Sequence, residues 1–413
     1  MGSRRPSLGL LGREASFTRL FLATIGSGAG TWLALVALEV DVYERTGSSA
    51  WIAALLIADM LPTFAVGLLV GPLIDRLSRR SLMINADLVR FGAFVVLPFT
   101  TNATEIVVLA AVVGIATGFF RPAVYAGLPN LVDDADLPRA NSLLQAADNT
   151  TWALGSVAGG ALAAAAGVHA AYWFNAATFL LSAALLFGIP QRLLQAAAAA
   201  SRGHWQDVKD GLSLAIHSRP ILTVLIAWNV AVFAVASMNV AEPRLALRTF
   251  SAGRFGLGLL MGCAGIGLTL GALLASAWIA RRGLPNVYGI SLVLIAAGIG
   301  GAAGSPNVWV ASACAVVSGC GNGSAIVCNS LLVQRGAPDA LRGRAFSVLM
   351  SSNFALVTAG MVVAGWLTDV LGARWMLAAA AAFAGLAGIV GFGLARRASA
   401  QPEPAAELGY SPS

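Results

Sequence analysis

Apolar segments of about 20 residues recur along nearly the whole 413-residue chain, separated by short polar turns. A helix of that length crosses roughly 30 Å of hydrocarbon. Because a bilayer offers backbone amides no partners, such spans must be helical. The pattern predicts twelve: 17–41, 50–73, 82–101, 105–129, 140–166, 169–190, 220–246, 255–280, 286–304, 307–332, 345–370 and 372–395. A segment 1–16 precedes them, and a tail 398–413, rich in Ala, Pro, Ser and Glu, is predicted to be disordered. A connector, 191–219, divides the spans into six-helix lobes at 17–190 and 220–397. It places Trp205, Val208 and Leu212 at helical spacing among Arg202, Asp207, Lys209 and Asp210, which predicts an amphipathic helix on the inner face that sets the spacing of the lobes.

A doubled architecture should show self-similarity at one offset, and that offset is 205 residues. Arg139-Ala140-x-Ser142 recurs as Arg344-Ala345-x-Ser347, Gly155 as Gly360, Gly160 as Gly365 and Gly167 as Gly372. Gly114 and Gly118 map to Gly319 and Gly323, and Ile74-Asp-Arg76 maps to Ile279-Ala-Arg281. The register predicts an all-α membrane protein of two six-helix lobes related by a pseudo-two-fold along the membrane normal. A binding cavity is expected between them near the midplane.

Composition agrees: 58% hydrophobic and 11% charged residues, against roughly 25% charged in soluble domains, with a mean hydropathy of +0.78. With both termini inside, nineteen of the 26 basic residues fall on the inner side; Arg45, Arg244, Arg248, Arg254 and Arg374 lie outside, and Arg90 and Arg121 within spans. This obeys the positive-inside rule. It also accounts for the net charge of +7 through anionic headgroups and not through nucleic acid. The four cysteines all fall inside predicted spans and form neither a disulfide framework nor a chelating pair.

Chemistry should reside in polar groups that the bilayer makes expensive, at roughly 2.5–3.5 kcal/mol for a central charge. Asp59 lies deep in the second span, above Pro62 and beside Thr63. In the fifth span Asn141, Gln145, Asp148, Asn149, Trp152 and Ser156 form one stripe of a 3.6-residue helix, which should face water or substrate. Asp148 is the leading candidate for proton coupling, and its repeat mate is the neutral Asn353. Asp59 and Glu39 are further candidates; Glu39 and Asp41 are placed near the outer end of the first span, within reach of solvent. Asp87 and Arg90 are expected to pair with each other or with the loop at 71–80, and Arg121 to anchor an acidic partner or an anionic substrate.

That loop, Gly71-Pro-Leu-Ile-Asp75-Arg76-Leu-Ser-Arg79-Arg80, resembles the G-x-L-a-D-R-x-G-R-[KR] signature between spans two and three of the major facilitator superfamily, with Ser78 where glycine is usual. Gly155-Ser156-Val-Ala-Gly159-Gly160 is similar to the G-P-x-x-G-G core of that superfamily's drug–proton antiporters, with Ser156 in place of proline. Phe119-Phe120-Arg121-Pro122-Ala123, Leu128-Pro129, Arg139-Ala140-Asn141-Ser142 and Tyr43-x-x-Thr46-Gly47-Ser48 resemble the macrolide-efflux and siderophore-exporter branch. The resemblance implies a cytoplasmic latch in which Asp75 and Arg79 join an acidic partner, here Asp133 or Asp134, with Gly71, Arg76 and Arg80 completing the gate motif.

Span position and helical phase assign the substrate cavity to Trp32, Phe120, Gln145, Asn149, Trp152, Trp228, Asn229, Phe233, Asn322, Asn329, Asn353 and Thr358. Aromatic surface with few charges suits an amphipathic molecule. The expectation is a secondary transporter exporting drug-like or natural-product compounds in exchange for H+, its partners being the lipid bilayer and a small-molecule substrate, with no cofactor and a monomer sufficient. Import of a nutrient or movement of a lysolipid is the alternative, and a non-transporting membrane sensor or a membrane enzyme is a further one. No H-E-x-x-H, G-x-S-x-G or Walker motif is present, so an enzyme lacks its parts. The bias to arginine over a single lysine, Lys209, points to a GC-rich bacterium and its cytoplasmic membrane.

Overall fold

The computed structural model describes residues 11, 14–69, 77–194, 218–337 and 342–399. Among these every regular element is helical. The long helices are α1 (Ala15–Thr46), α2 (Ser49–Leu69), α3 (Arg79–Val96), α4 (Ala103–Gly127), α5 (Leu137–Ala166) and α6 (Val168–Phe187). They continue as α7 (Arg219–Thr249), α8 (Gly253–Arg282), α9 (Leu284–Gly304), α10 (Val308–Gly336), α11 (Arg342–Leu371) and α12 (Ala373–Ser399). Eleven are long and apolar enough to cross a membrane; the exception, α5, has 30 residues but is diluted by its polar stripe. Helix α7 contains two π-helical turns, Val224–Trp228 and Leu245–Thr249. The connector expected to be helical around Trp205, the tail from residue 400, and Gly71, Asp75 and Arg76 lie outside the described residues.

The chain forms two compact units, Met1–Ser201 with Ala252–Gly262, and Arg202–Ser251 with Cys263–Ser413. In the first, α1 packs on α5 and α6, α2 on α4, and α3 on α4 and α6. In the second, α7 packs on α11 and α12, and α9 on α10 and α12. The 205-residue offset reappears in local geometry. Asn102 and Asn307 each cap a helix, accepting from the backbone N–H three residues on at 3.0 and 3.1 Å, which satisfies an orphan donor at a helix start. Gly167 and Gly372 turn the chain at φ of 84° and 88°, the left-handed region that glycine enters without steric cost.

The same correspondence governs helix packing. A Cβ at Gly114 would stand 2.2 Å from the Asp59 carbonyl oxygen, and one at Gly319 would stand 2.2 Å from that of Ala264, which is Asp59 shifted by the same offset. Lipid tails are as apolar as leucine, so helices associate by close backbone approach at small residues. Replacing Gly319 with Leu should therefore separate α8 from α10, at a cost above the ~1–3 kcal/mol of ordinary overpacking. The check is thermal unfolding of the purified protein in detergent, with a Tm lowered by several degrees; an unchanged Tm would refute the tight crossing.

In the first unit, Arg90 of α3 is buried with its guanidinium 4.2 Å from the centroid of the Phe120 ring and 4.5 Å from that of Phe179. It donates to Asp87, which also accepts from Ser182 Oγ at 2.7 Å. Asp87 and Arg90 thus pair with each other, inside the unit. Phe120, assigned from helical phase to a substrate cavity, is instead buried as one face of this arginine's slot, because a desolvated guanidinium is stabilised by aromatic π-surfaces. Removing one partner of a buried pair costs about 3–5 kcal/mol, whereas a well-packed apolar replacement of both is often neutral. Asp87→Ala should lower the melting temperature sharply, and the double variant Asp87→Leu/Arg90→Met should recover most of the loss; a double variant as unstable as the single would overturn this assignment.

Candidate functional site

Helices α4 and α5 bring two of the candidate residues together. Arg121 Nη2 donates to Asp148 Oδ2 at 2.8 Å, with the arginine side chain 58% exposed and the aspartate 24%. Unlike the Asp87–Arg90 pair, this one is open to its surroundings. Along the same stripe Asn141 and Gln145 are exposed, Gln145 Nε2 donates to Asn149 Oδ1 at 3.3 Å, and Trp152 lies against Trp32 with ring centroids 5.5 Å apart. The Trp152 indole Nε1 is buried without an acceptor. Ser156 departs from the stripe's expected exposure: it is fully buried, and its carbonyl oxygen lies 2.5 Å from where a Cβ at Gly258 would sit. The upper part of α5 is therefore a packing face.

Asp59 sits half-buried on α2, which continues as helix through Pro62. Thr63 Oγ1 donates to the Gly114 carbonyl at 2.8 Å, pinning this stretch to α4. Arg90 is the basic group whose field reaches Asp59, so one guanidinium serves two acids of the first unit. Glu39 and Asp41 correct the expectation of solvent access, being 2% and 6% exposed. Asp41 is covered because Arg45 donates to it through Nε at 2.7 Å and Nη2 at 3.0 Å while Tyr172 Oη donates at 2.9 Å from α6.

At the gate motif, Arg79 Nη1 donates to the Ala126 carbonyl at 2.7 Å, and Arg80 reaches the Leu186 and Phe187 carbonyls, its guanidinium 4.7 Å from the centroid of the Phe187 ring. Asp133 and Asp134 are exposed, and no ion pair joins either to Arg79 among the described residues. The acid of this turn that does pair is Asp136, which accepts from Arg139 at 2.6 Å.

In the second unit Trp228, Asn229 and Asn329 are buried, and Asn322, Phe233, Asn353 and Thr358 are half-buried. Asn229 Nδ2 donates to Ser352 Oγ at 3.0 Å, tying α7 to α11. Phe233 packs on Phe383 with centroids 5.8 Å apart, and Thr358 returns its hydroxyl to the Phe354 carbonyl at 2.9 Å.

Three further groups were missed from sequence. Arg254 donates to both carboxylate oxygens of Glu44, at 2.9 and 2.8 Å, and to the Ala163 carbonyl at 3.0 Å, all within the first unit. Arg244 donates to Asp369 at 3.3 Å. Glu242 is only 4% exposed on α7. Its signal was a lone acid in an apolar span whose nearest arginine, two residues on, projects from another side of the helix. Among the described residues no group of three or more His, Cys, Asp or Glu is arranged to hold a metal ion.

Set beside known proteins, the chain matches the family model for the Major Facilitator Superfamily over residues 20–241 and 230–411. It is 26% identical over 373 residues to the uncharacterized MFS-type transporter YfiS of Bacillus subtilis, covering 87% of this chain and 88% of that protein. It is 27% identical over 379 residues to the multidrug efflux pump Tap of Mycobacterium tuberculosis, again covering 87% and 88%. The fold is similar to that of the nucleoside transporter NupG, with a TM-score of 0.72 at 15% identity over 94% of this chain and 100% of that one. With two copies of the helical pattern, the family model spanning both, and transporters among its relatives, the chain belongs to the Major Facilitator Superfamily and is a multi-pass membrane transporter.

Proposed function

We propose that this protein is a proton-coupled antiporter that exports amphipathic drug-like or natural-product molecules. The observation that carries this reading is the open Arg121–Asp148 ion pair within spans. Charges at that depth are expensive and are retained for transport chemistry or packing, and an exposed pair is poorly suited to packing. In one access state a proton binds the Asp148 carboxylate, the charge-assisted hydrogen bond from Arg121 is lost, and the guanidinium is free to seek another acceptor. In the other state the proton leaves and the pair re-forms. Shifts of ~1–3 kcal/mol, typical of coupling between sites, suffice to bias such an equilibrium.

The substrate class is supported by the stripe's other members and by Trp32 of α1 beside them. Trp32 and Trp152 offer aromatic surface, the Trp152 indole offers a donor, and Gln145 and Asn149 offer amide groups. The efflux activity named for the relative Tap supports the outward direction. The arginine bias supports placement in a bacterial cytoplasmic membrane with both termini inside, and a single chain carries all the parts.

The test is accumulation of a lipophilic fluorescent cation in inverted vesicles carrying the full-length protein under an inside-acid pH gradient. Wild type should accumulate it, and Asp148→Asn should lose gradient-driven uptake by roughly tenfold or more, equivalent to ~1.4 kcal/mol, while still binding the compound. Uptake that survives in Asp148→Asn would remove this acid from the coupling step. The latch is tested separately: Asp75→Asn should cripple uptake at an unchanged melting temperature, and normal uptake would discard the latch.

A further inference from the structure

We infer that the second unit holds a recognition site for the N–H donors of a protonated amine, built from the side-chain carbonyls of Asn229, Asn329 and Asn353. It deepens the export reading, and rests on it, by naming a feature of the substrate. All three Oδ1 atoms are buried and without a donor, and the Asn229 and Asn329 residues are only 9% and 8% exposed.

Register puts them at one level. Gly336 of α10 lies against α7, where a Cβ would come within 3.0 Å of Pro220 and 3.1 Å of Ile221. The two helices cross the membrane in opposite directions. Seven residues back along α10 from Gly336 and seven to eight along α7 from Ile221, about two turns and ~10–12 Å, bring Asn329 to the height of Trp228 and Asn229. The two-turn spacing also leaves Asn329 on the face of α10 that Gly336 presents to α7. On the other side, Asn229 Nδ2 donates to Ser352 Oγ at 3.0 Å, and Ser352 Oγ gives its own proton to the Leu349 carbonyl at 2.9 Å. That spent hydroxyl fixes the amide's orientation and leaves the Asn229 oxygen as the unused acceptor. Asn353 follows Ser352 in α11.

Leaving a buried acceptor unpaired costs about 1–3 kcal/mol. Three on three helices at one height call for a ligand. The π-turn Val224–Trp228 ends directly beneath Asn229, and such insertions into α-helices are frequent at functional sites. Between Arg219 and Glu242 on α7, before Arg335 on α10, and between Arg344 and Asp369 on α11, the sequence carries no charge. Recognition at this level is therefore dipolar. Carbonyl oxygens replace water around a cation, and an ammonium group with its own N–H donors satisfies all three in a way that a quaternary cation, lacking N–H, does not.

The matched probes are naphthylmethylammonium and its trimethylammonium analogue, equal in charge and aromatic surface. Their binding is measured by titration calorimetry on the purified full-length protein, and their export in the vesicle assay. Wild type should prefer the primary ammonium. Each of Asn229→Leu, Asn329→Leu and Asn353→Leu should weaken it by roughly tenfold, one charge-assisted hydrogen bond's worth, and leave the trimethyl analogue within about twofold, which also reports that the variant is folded. Asn329→Asp keeps the acceptor and should keep the primary ammonium bound. Equal affinity for both probes in wild type, parallel loss of both in variants that melt like wild type, or loss of the primary ammonium in Asn329→Asp overturns the inference. If wild type exports the trimethyl cation without preferring the primary one, only the amine site falls; if it neither binds nor exports either, the export reading falls with it.

Discussion

A charge placed in hydrocarbon must find its counter-charge within the protein, because a lone one costs roughly 2.5–3.5 kcal/mol or more at the bilayer centre. That constraint sorts the polar residues of this chain into two kinds. Asp87 and Arg90, with side chains 0% and 5% exposed, are closed off by Ser182 and two phenylalanine rings. Asp41 is clamped by Arg45 and Tyr172 in the same manner. Such groups have exchanged water for fixed partners and hold helices in place. Arg121 and Asp148 have one another but remain open, so their pairing can be remade within the transport cycle proposed here.

Close backbone contact supplies the rigidity against which those pairings act. Since the hydrophobic effect does not drive helices together in lipid, the crossings rely on glycines whose missing side chains admit a neighbouring carbonyl, as at Gly114 over Asp59 and Gly319 over Ala264. The first of these has a direct bearing on chemistry. The carbonyl of Asp59 is the atom that Gly114 receives, so the backbone carrying this acid is held against α4. Its electrostatic neighbour Arg90 is fixed in the same unit.

Spans and repeat were legible because each depends on one helix or one turn: apolar length and glycine position are properties of a short stretch of chain. What neighbours cover was not. Glu39 and Asp41 fall where the first span is expected to meet solvent, yet the residues that seal Asp41 come from a later turn of α1 and from α6. Phe120 has the helical phase of a cavity residue, and only the proximity of α3 shows that it belongs to Arg90. Ser156 shares the α5 stripe's phase but meets the backbone of another helix. The π-turns of α7 were invisible for a different reason: a shift from i→i+4 to i→i+5 hydrogen bonding has no residue signature, although it rotates every side chain that follows.

The duplicated register makes one asymmetry informative. The offset of 205 residues carries Asp148 onto Asn353 and Arg121 onto Ile326, so the site of an open ion pair in the first unit corresponds to a neutral amide and an aliphatic residue in the second. Scaffold requirements alone would favour like residues at like positions, as they do for Asn102 and Asn307 at the helix caps. In the cycle proposed here, divergence at this depth separates two tasks. An ionisable carboxylate suits proton exchange, because its charge changes. An uncharged carbonyl suits recognition of a donor, because its dipole persists whatever the pH on either side. A carrier assembled from two copies of one fold can thus assign the driving ion to one copy and part of the cargo to the other. The two equilibria then meet through helix movement and need no shared residue.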